Sequence, residues 1–404
     1  MKTILIREDL EQAAELLRNG GLVGVPTETV YGLAGNGLDE AAVHRIYEVK
    51  GRPELKPLAL MVPDADGMER YCVAVPQAAK ALAERFWPGP LSIVLKARTD
   101  LVPEIVRAGG ETVSLRCPDH ALTLQALKLA GVPFAAPSAN PSGSPSPKTA
   151  GEVLGYFDGQ IEAVIDGGPC GLGRESTILD MSHTPYRVLR QGALAAEEIR
   201  AALTENLRII GITGPSGAGK TTALSLLREK GALVLDCDAV YHELLQSNDK
   251  LLAALDAAFP GTVRNGALDR KALGGIVFAD PAALETLNGI THRVVSEEIE
   301  RRLAEHAVQG GELAALDAVE LISSGLGERC DLTVAVLADE DVRIRRIMAR
   351  DGIDREQALR RVRAQKTENY YRERCDRVLM NNGDAASFAK DFLNVIGGQE
   401  RWTI

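Results

Sequence analysis

LRIIGITGPSGAGKTT, Leu207 to Thr222, begins as an apolar run suited to a strand and ends in a glycine-rich turn that opens a helix. Within it, Gly214-Pro215-Ser216-Gly217-Ala218-Gly219-Lys220-Thr221 matches GxxxxGK[ST], and Thr222 follows. The glycines let backbone N–H groups turn inward around a phosphate. Lys220 supplies a cation for the outer phosphates, and the Thr221 hydroxyl is a ligand for Mg²⁺. A helix beginning at Lys220 adds its positive end to the same spot. The bland alternative is a glycine-rich strand-to-helix turn with no ligand. The strand before the motif and the helix after it are the context that a phosphate cradle requires.

Downstream, apolar runs alternate with helical ones: ALVLD, a long helical region, ELAALD, LTVAVLAD and RIRRIMARDG. That order predicts a parallel sheet with helices on both faces. Two of these strands end in carboxylates, Asp236-Cys237-Asp238 and Asp317, at the edge where open α/β sheets place their ligands. A carboxylate there suits a base for an acceptor hydroxyl or a partner for Mg²⁺; each also reads as a helix cap. Between Asp341 and Lys366 the chain is rich in arginine. Most of that run reads as a solvated helix face. Arg346 and Arg350, four apart, are candidates for a helical lid that brings guanidinium onto a transferring phosphate.

These features, with LDCDAVYHELL, LDRKALGGIVFADPAALETLNGITHRVV, ARDGIDREQALRRVRAQ and VLMNNGD, resemble dephospho-CoA kinase over nearly all of the second half. The resemblance implies a P-loop kinase that moves the ATP γ-phosphate to the ribose 3′-hydroxyl of dephospho-CoA with Mg²⁺. It implies Gly214 to Thr222 around ATP, Asp238 as base, and Lys220, Arg346 and Arg350 on the transferred phosphate. Asp236, Tyr241, His242, His292 and Asp317 would then surround the acceptor. Three places depart from the family's pattern. Val319-Glu320-Leu321-Ile322-Ser323 stands where Pro-Leu-Leu-x-Glu is expected, Arg293 replaces the Pro after His292, and Met380 replaces an Asp.

At 404 residues the chain is long for one domain, and the strand at Leu207 follows the helical AAEEIRAALTEN with almost no linker. Two domains are therefore expected, 1–205 and 206–404. The net charge of −10 divides as −6 before residue 206 and −4 after it. Neither half has the basic balance of a dedicated nucleic-acid-binding domain. The six cysteines are scattered with no CxxC pair, which argues against zinc and for reduced thiols. MKTILIREDL shows no signal-peptide pattern, and no run reaches the roughly 18 apolar residues of a membrane span. The chain reads as soluble and cytoplasmic.

The first half has β-like runs (TILI, LVGVPT, LSIVLKA, TVSLRC, PFAAPS) among helical ones, and mixed α/β is the expectation. Three clusters stand out. PTETVYGL, Pro26 to Leu33, offers hydroxyls after a strand. KGRPELKPL puts Lys50, Arg52 and Lys56 on a proline-stiffened segment able to clamp an anion. PSANPSGSPSP, Pro137 to Pro147, adds hydroxyls and backbone donors. Taken singly they also read as a hairpin turn, a solvated basic loop and a linker.

Their order, with Arg116 in SLRCP, Glu175-Ser176-Thr177-Ile178 and Leu189-Arg190-Gln191-Gly192, resembles the YrdC-type threonylcarbamoyl-AMP synthase domain. That family joins L-threonine, bicarbonate and ATP into threonylcarbamoyl-AMP, which downstream threonylcarbamoyl-transfer machinery places on tRNA. The resemblance implies Arg52, Lys56, Ser138, Ser146 and Arg190 around ATP, and Thr29, Arg116 and Ser176 around threonine. Met61 stands where many relatives have His. Two other readings remain open: a first half that binds double-stranded RNA without catalysis, and a kinase acting on another small alcohol.

Overall fold

The fold, taken from a computed structural model, is described for residues 2–264 and 266–397. It divides into two compact units, Met1–Asn206 with Val308–Gly310 and Leu207–Ala307 with Gly311–Ile404. Each has its own apolar core.

The first unit is built on a ten-stranded mixed sheet. In chain order its strands are β1 (Ile4–Ile6), β2 (Val23–Val25), β3 (Gly32–Asn36), β4 (Ala59–Met61), β5 (Leu91–Lys96), β6 (Thr112–Arg116), β7 (Phe134–Ala135), β8 (Ala163–Ile165), β9 (Thr177–Asp180) and β10 (Arg187–Arg190). In space they run β1-β8-β2-β3-β7-β4-β6-β5-β9-β10. The helix Leu10–Arg18 shows how local sequence builds this unit. Asp9 accepts from the Gln12 N–H as its cap, and Leu10, Ala13, Ala14 and Leu17 recur at helical spacing on the buried face. PFAAPS contributes only Phe134–Ala135 to the sheet. Pro137 cannot donate to a ladder, so the chain leaves the sheet there as an irregular loop.

The second unit carries a five-stranded, wholly parallel sheet: β11 (Arg208–Thr213), β12 (Leu233–Asp236), β15 (Leu313–Asp317), β16 (Leu332–Leu337) and β17 (Arg377–Met380), with β13 (Val263–Arg264) and β14 (Ala267–Leu268) forming a separate ribbon. The order β12-β15-β11-β16-β17 takes the chain first to one side of β11 and later to the other. The carboxyl ends of the strands at such a reversal form the crevice where α/β sheets bind ligands. Every residue of β11 and β16 is buried, as strands covered on both faces must be. The long helical region read between β12 and β15 comprises four helices, Cys237–Ser247, Asp249–Ala258, Arg270–Val277 and Pro281–Val308, plus the β13–β14 ribbon, which was too short to read from pattern. Helices Glu340–Asp351 and Arg355–Arg363 pack on each other through Ile344, Ile347, Ala358 and Val362. Among the described residues no helix is long and apolar enough to cross a membrane.

Candidate functional site

Each unit has a polar cavity of its own. In the second, the loop after β11 turns through Gly214, Gly217 and Gly219 at φ +134°, +78° and +102°, a region closed to most side chains. The outer face of the loop is also full. A Cβ on Gly214 would come within 2.1 Å of the Val336 carbonyl oxygen, and one on Gly219 within 2.0 Å of Asn381 Nδ2. The helix Lys220–Glu229 starts at the end of the loop. The cavity beside it is lined by Ser216, Lys220, Thr221, Asp236, Asp238, Asp317, Arg346 and Arg350. Lys220 Nζ donates to the Gly214 carbonyl at 2.9 Å. Burial lowers its pKa, against the pull of the Asp317 charge. Asp317 is pushed up to about 6 by burial, and Asp238 is raised by burial and by the neighbouring Asp236. Asp317 is half-buried and Asp238 more exposed in this open, ligand-sized crevice, where perturbed titration commonly marks function.

A second cavity in the same unit is lined by Cys237, Asp238, Tyr241, Thr291, His292, Ser296 and Glu320, among others. Among the described residues Asp238 is the one that lines both cavities. Its carboxylate therefore stands where a group held in the second cavity meets a group held in the cradle.

The cavity of the first unit has no glycine cradle. Side chains from separate elements line it: Arg52, Ser92, Arg116, Ser138, Glu175, Ser176 and Arg190, with Tyr31, Leu58 and Met61 as apolar wall. Arg116 is buried at the end of β6. It pairs with Glu28 at 2.7 Å and donates to Thr29 Oγ1 at 2.8 Å and to the Gly89 carbonyl at 3.2 Å. Arg190 donates to the Ser176 carbonyl at 3.1 and 2.9 Å, and Arg52 to the Pro57 carbonyl at 3.1 Å. Burial lowers the pKa of Arg52 and of Arg190. Ser92 and Ser176 share a hydrogen bond of 2.8 Å between their hydroxyls. Three guanidinium groups against one lining carboxylate make a site for a polyanion.

Comparison with known proteins separates along the same division. Residues 15–192 match the family model Sua5_yciO_yrdC, described as "Telomere recombination", and residues 208–387 match the model CoaE, described as dephospho-CoA kinase. The dephospho-CoA kinase of Geobacter sulfurreducens is 37% identical over 179 residues, which cover 44% of this chain and 91% of that one. That of Symbiobacterium thermophilum is 38% identical over 179 residues, covering 44% of this chain and 75% of that one. The second half belongs to the dephospho-CoA kinase family. For the first half, a threonylcarbamoyl-AMP synthase of Pyrococcus abyssi is 45% identical over 207 residues, 50% of this chain and 61% of that one. The chain thus joins a YrdC-type domain to a dephospho-CoA kinase domain, and it spans only about three-fifths of that archaeal relative.

In the kinase domain, the cradle cavity gathers Pro215, Ser216, Gly217, Gly219, Lys220, Thr221, Asp236, Asp238, Asp317, Arg346 and Arg350. Gly214, Ala218 and Thr222 do not line it, and Ala218 is buried. Asp236 also caps its helix, accepting from the Ala239 N–H at 2.9 Å. Arg350 is held by both oxygens of Asp351, at 2.7 and 3.0 Å. Tyr241 and His292 line the second cavity; His242 does not, and its Nδ1 lies 2.6 Å from the Asp238 carbonyl oxygen.

In the YrdC-type domain Arg52, Arg116, Ser138, Ser176 and Arg190 meet at one cavity. Thr29 is buried behind Arg116, Ser146 donates to Glu175 at 2.9 Å, and Lys56 is exposed away from the lining. Lys50, read with Arg52 and Lys56 as one anion clamp, is buried instead, donating to the carbonyls of Ser138 and Asn140. It braces the Pro137–Pro147 loop, and burial lowers its pKa to about 8. Ser92 was missed by the sequence reading. The available signal was a polar residue inside an otherwise apolar strand.

Proposed function

We propose that the chain is a bifunctional enzyme whose kinase domain phosphorylates the 3′-hydroxyl of dephospho-CoA with ATP. The observation that carries this reading is that Asp238 is shared by the cradle cavity and the Tyr241/His292 cavity. With the acceptor hydroxyl at Asp238, the carboxylate takes its proton as the oxygen attacks the γ-phosphate. Lys220 and the loop N–H groups stabilise the charge that develops. Thr221, Asp236, Asp238 and Asp317 offer only hard oxygen donors, which fit Mg²⁺. Among the described residues no three His, Cys, Asp or Glu side chains form a metal cage. That is consistent with an ion bound largely through nucleotide phosphates, where it would neutralise charge on the β- and γ-oxygens.

For the YrdC-type domain the proposed activity is synthesis of threonylcarbamoyl-AMP from L-threonine, bicarbonate and ATP. Arg52 and Arg190 would take the triphosphate, and Arg116 and Ser176 the threonine side. An inward-facing trio of guanidinium groups favours a small polyanion over an open RNA surface. The cavity supplies charge and alignment, and the threonine amine is itself the nucleophile. The same reading makes it a cytoplasmic protein whose adenylate product passes on to tRNA-modifying machinery.

The test is to incubate the purified chain with ATP and Mg²⁺, adding dephospho-CoA or, separately, threonine with bicarbonate. Coenzyme A is expected in the first case and threonine-dependent pyrophosphate in the second. Asp238→Asn should lower kcat of the first reaction more than it changes KM for ATP. An unchanged kcat would reject Asp238 as the base.

A further inference from the structure

The phosphate loop is gripped by Arg343, Gln365 and Asn381, which the mechanism does not use, and by Arg346, which also lines the cradle cavity. Arg343 Nε donates to the Ser216 carbonyl at 3.1 Å, and its Nη2 donates to Gln365 Oε1 at 2.6 Å. The same Gln365 oxygen accepts the Ser216 N–H at 3.0 Å. Arg346 Nη1 donates to the carbonyls of Gly217 and Ala218 at 3.3 and 3.2 Å, and Asn381 Nδ2 donates to Ala218 at 2.9 Å. Asn381 Oδ1 accepts from Arg346 Nη2 at 3.4 Å. Three consecutive carbonyls, at 216, 217 and 218, are therefore held outward.

In a planar trans peptide the carbonyl of one residue and the N–H of the next point in opposite directions. Outward carbonyls at 216 and 218 aim the N–H groups of Gly217 and Gly219 towards the cavity, while the Ala218 N–H closes a turn on the Pro215 carbonyl at 3.3 Å. The helix that begins at Lys220 adds its positive N-terminal end to the same side. We propose that Gln365, with Arg343 and Asn381, is a positioning residue of the nucleotide cradle, setting its amide directions from behind. This rests on the kinase reading given above. In this collar Arg343 comes from the first turn of helix 340–351, Gln365 from just beyond helix 355–363 and Asn381 from the residue after β17, so the placement of the helical pair helps to set the loop.

The amide orientations follow from the partners. Gln365 faces two N–H donors with its oxygen, and Asn381 faces a carbonyl with its NH₂. The same chemical change, amide to carboxylate, must then have opposite outcomes. Gln365→Glu keeps the acceptor and gains an ion pair with Arg343, so kcat/KM for ATP should stay within about threefold. Gln365→Leu keeps the volume but strands two donors, the Ser216 N–H and Arg343 Nη2. It should raise KM for ATP and lower kcat/KM by about tenfold or more, with KM for dephospho-CoA unchanged. Asn381→Asp turns an oxygen onto the Ala218 carbonyl and should lose at least as much as Gln365→Leu.

All variants are measured in the full chain, with threonine-dependent pyrophosphate release as the control for intact protein, beside Lys220→Ala. Gln365→Leu with wild-type KM for ATP, or Gln365→Glu falling as far as Gln365→Leu, overturns the proposal. So does Asn381→Asp with wild-type kinetics; if that variant does not fold, the Gln365 pair decides. A Lys220→Ala protein that phosphorylates normally would instead reject the cradle itself.

Discussion

On the proposed reading the two units meet the same problem, holding polyphosphate, by opposite means. The kinase domain uses backbone: a single loop of consecutive residues whose N–H groups face the ligand and whose carbonyls are pinned behind. The YrdC-type domain uses side chains, with Arg52, Arg116 and Arg190 converging from distant parts of the sequence. A backbone cradle is cheap in charge and strict in conformation. A guanidinium cluster is tolerant of backbone and costly in desolvation, which Arg116 meets by pairing with Glu28.

The sharpest way to break that contrast is to remove one guanidinium. Arg116→Ala should abolish threonine-dependent pyrophosphate release. It leaves the part-buried Glu28 without its cation, with the Asp119 N–H still donating to it, so destabilisation of about 1–3 kcal/mol is expected in the melting of the first unit. Kinase activity should be untouched below that transition. Next in size, Lys220→Ala removes the cradle's own side-chain cation and should cost roughly a hundred- to thousandfold in kinase kcat, with synthase activity preserved. A near-normal kinase rate would reject this loop as the phosphate site.

A smaller effect concerns Asp317, whose pKa of about 6 exceeds the ordinary 3.8 because of burial. Its folded-state pKa is raised, so the folded state binds the proton more tightly than the unfolded one. The resulting penalty is present above about pH 6 and disappears as pH falls below the unfolded value. Asp317→Asn should therefore raise the melting temperature of the second unit at pH 7.5 and leave it unchanged at pH 3.5, while kinase rate falls. A stabilisation independent of pH would mean that the charge is not its source. The smallest effect is expected at Lys56→Ala. This exposed residue lies outside the cavity lining, so KM for ATP in the synthase reaction should change by less than about threefold.

Legibility in the sequence followed the same contrast. The cradle was readable because Gly214 to Thr221 are contiguous and each residue type has a stated job in that geometry. The parallel sheet was readable because β11 and β16 are mostly apolar runs rich in Ile and Val. The first cavity was readable only as an ordered set of clusters. Nothing in KGRPELKPL distinguishes Lys50, which turns inward to brace a loop, from Arg52, which lines the cavity, or from Lys56, which does neither. Burial decides among the three, and burial is a property of the fold. The collar was hidden for a related reason: Gln365 lies 149 positions from its partner Ser216, and Asn381 lies 163 from Ala218.

The crowding behind the loop has a consequence for how such a motif persists. A methyl group on Gly214 or Gly219 would collide with the Val336 carbonyl or with Asn381, not with nucleotide. The collision is present whether or not ATP is ever bound. A descendant of this domain that had lost its chemistry would still be held to the same glycines by the demand to fold. Over time the glycine pattern therefore records an architecture kept intact, and turnover must be read from Lys220, Asp238 and their neighbours.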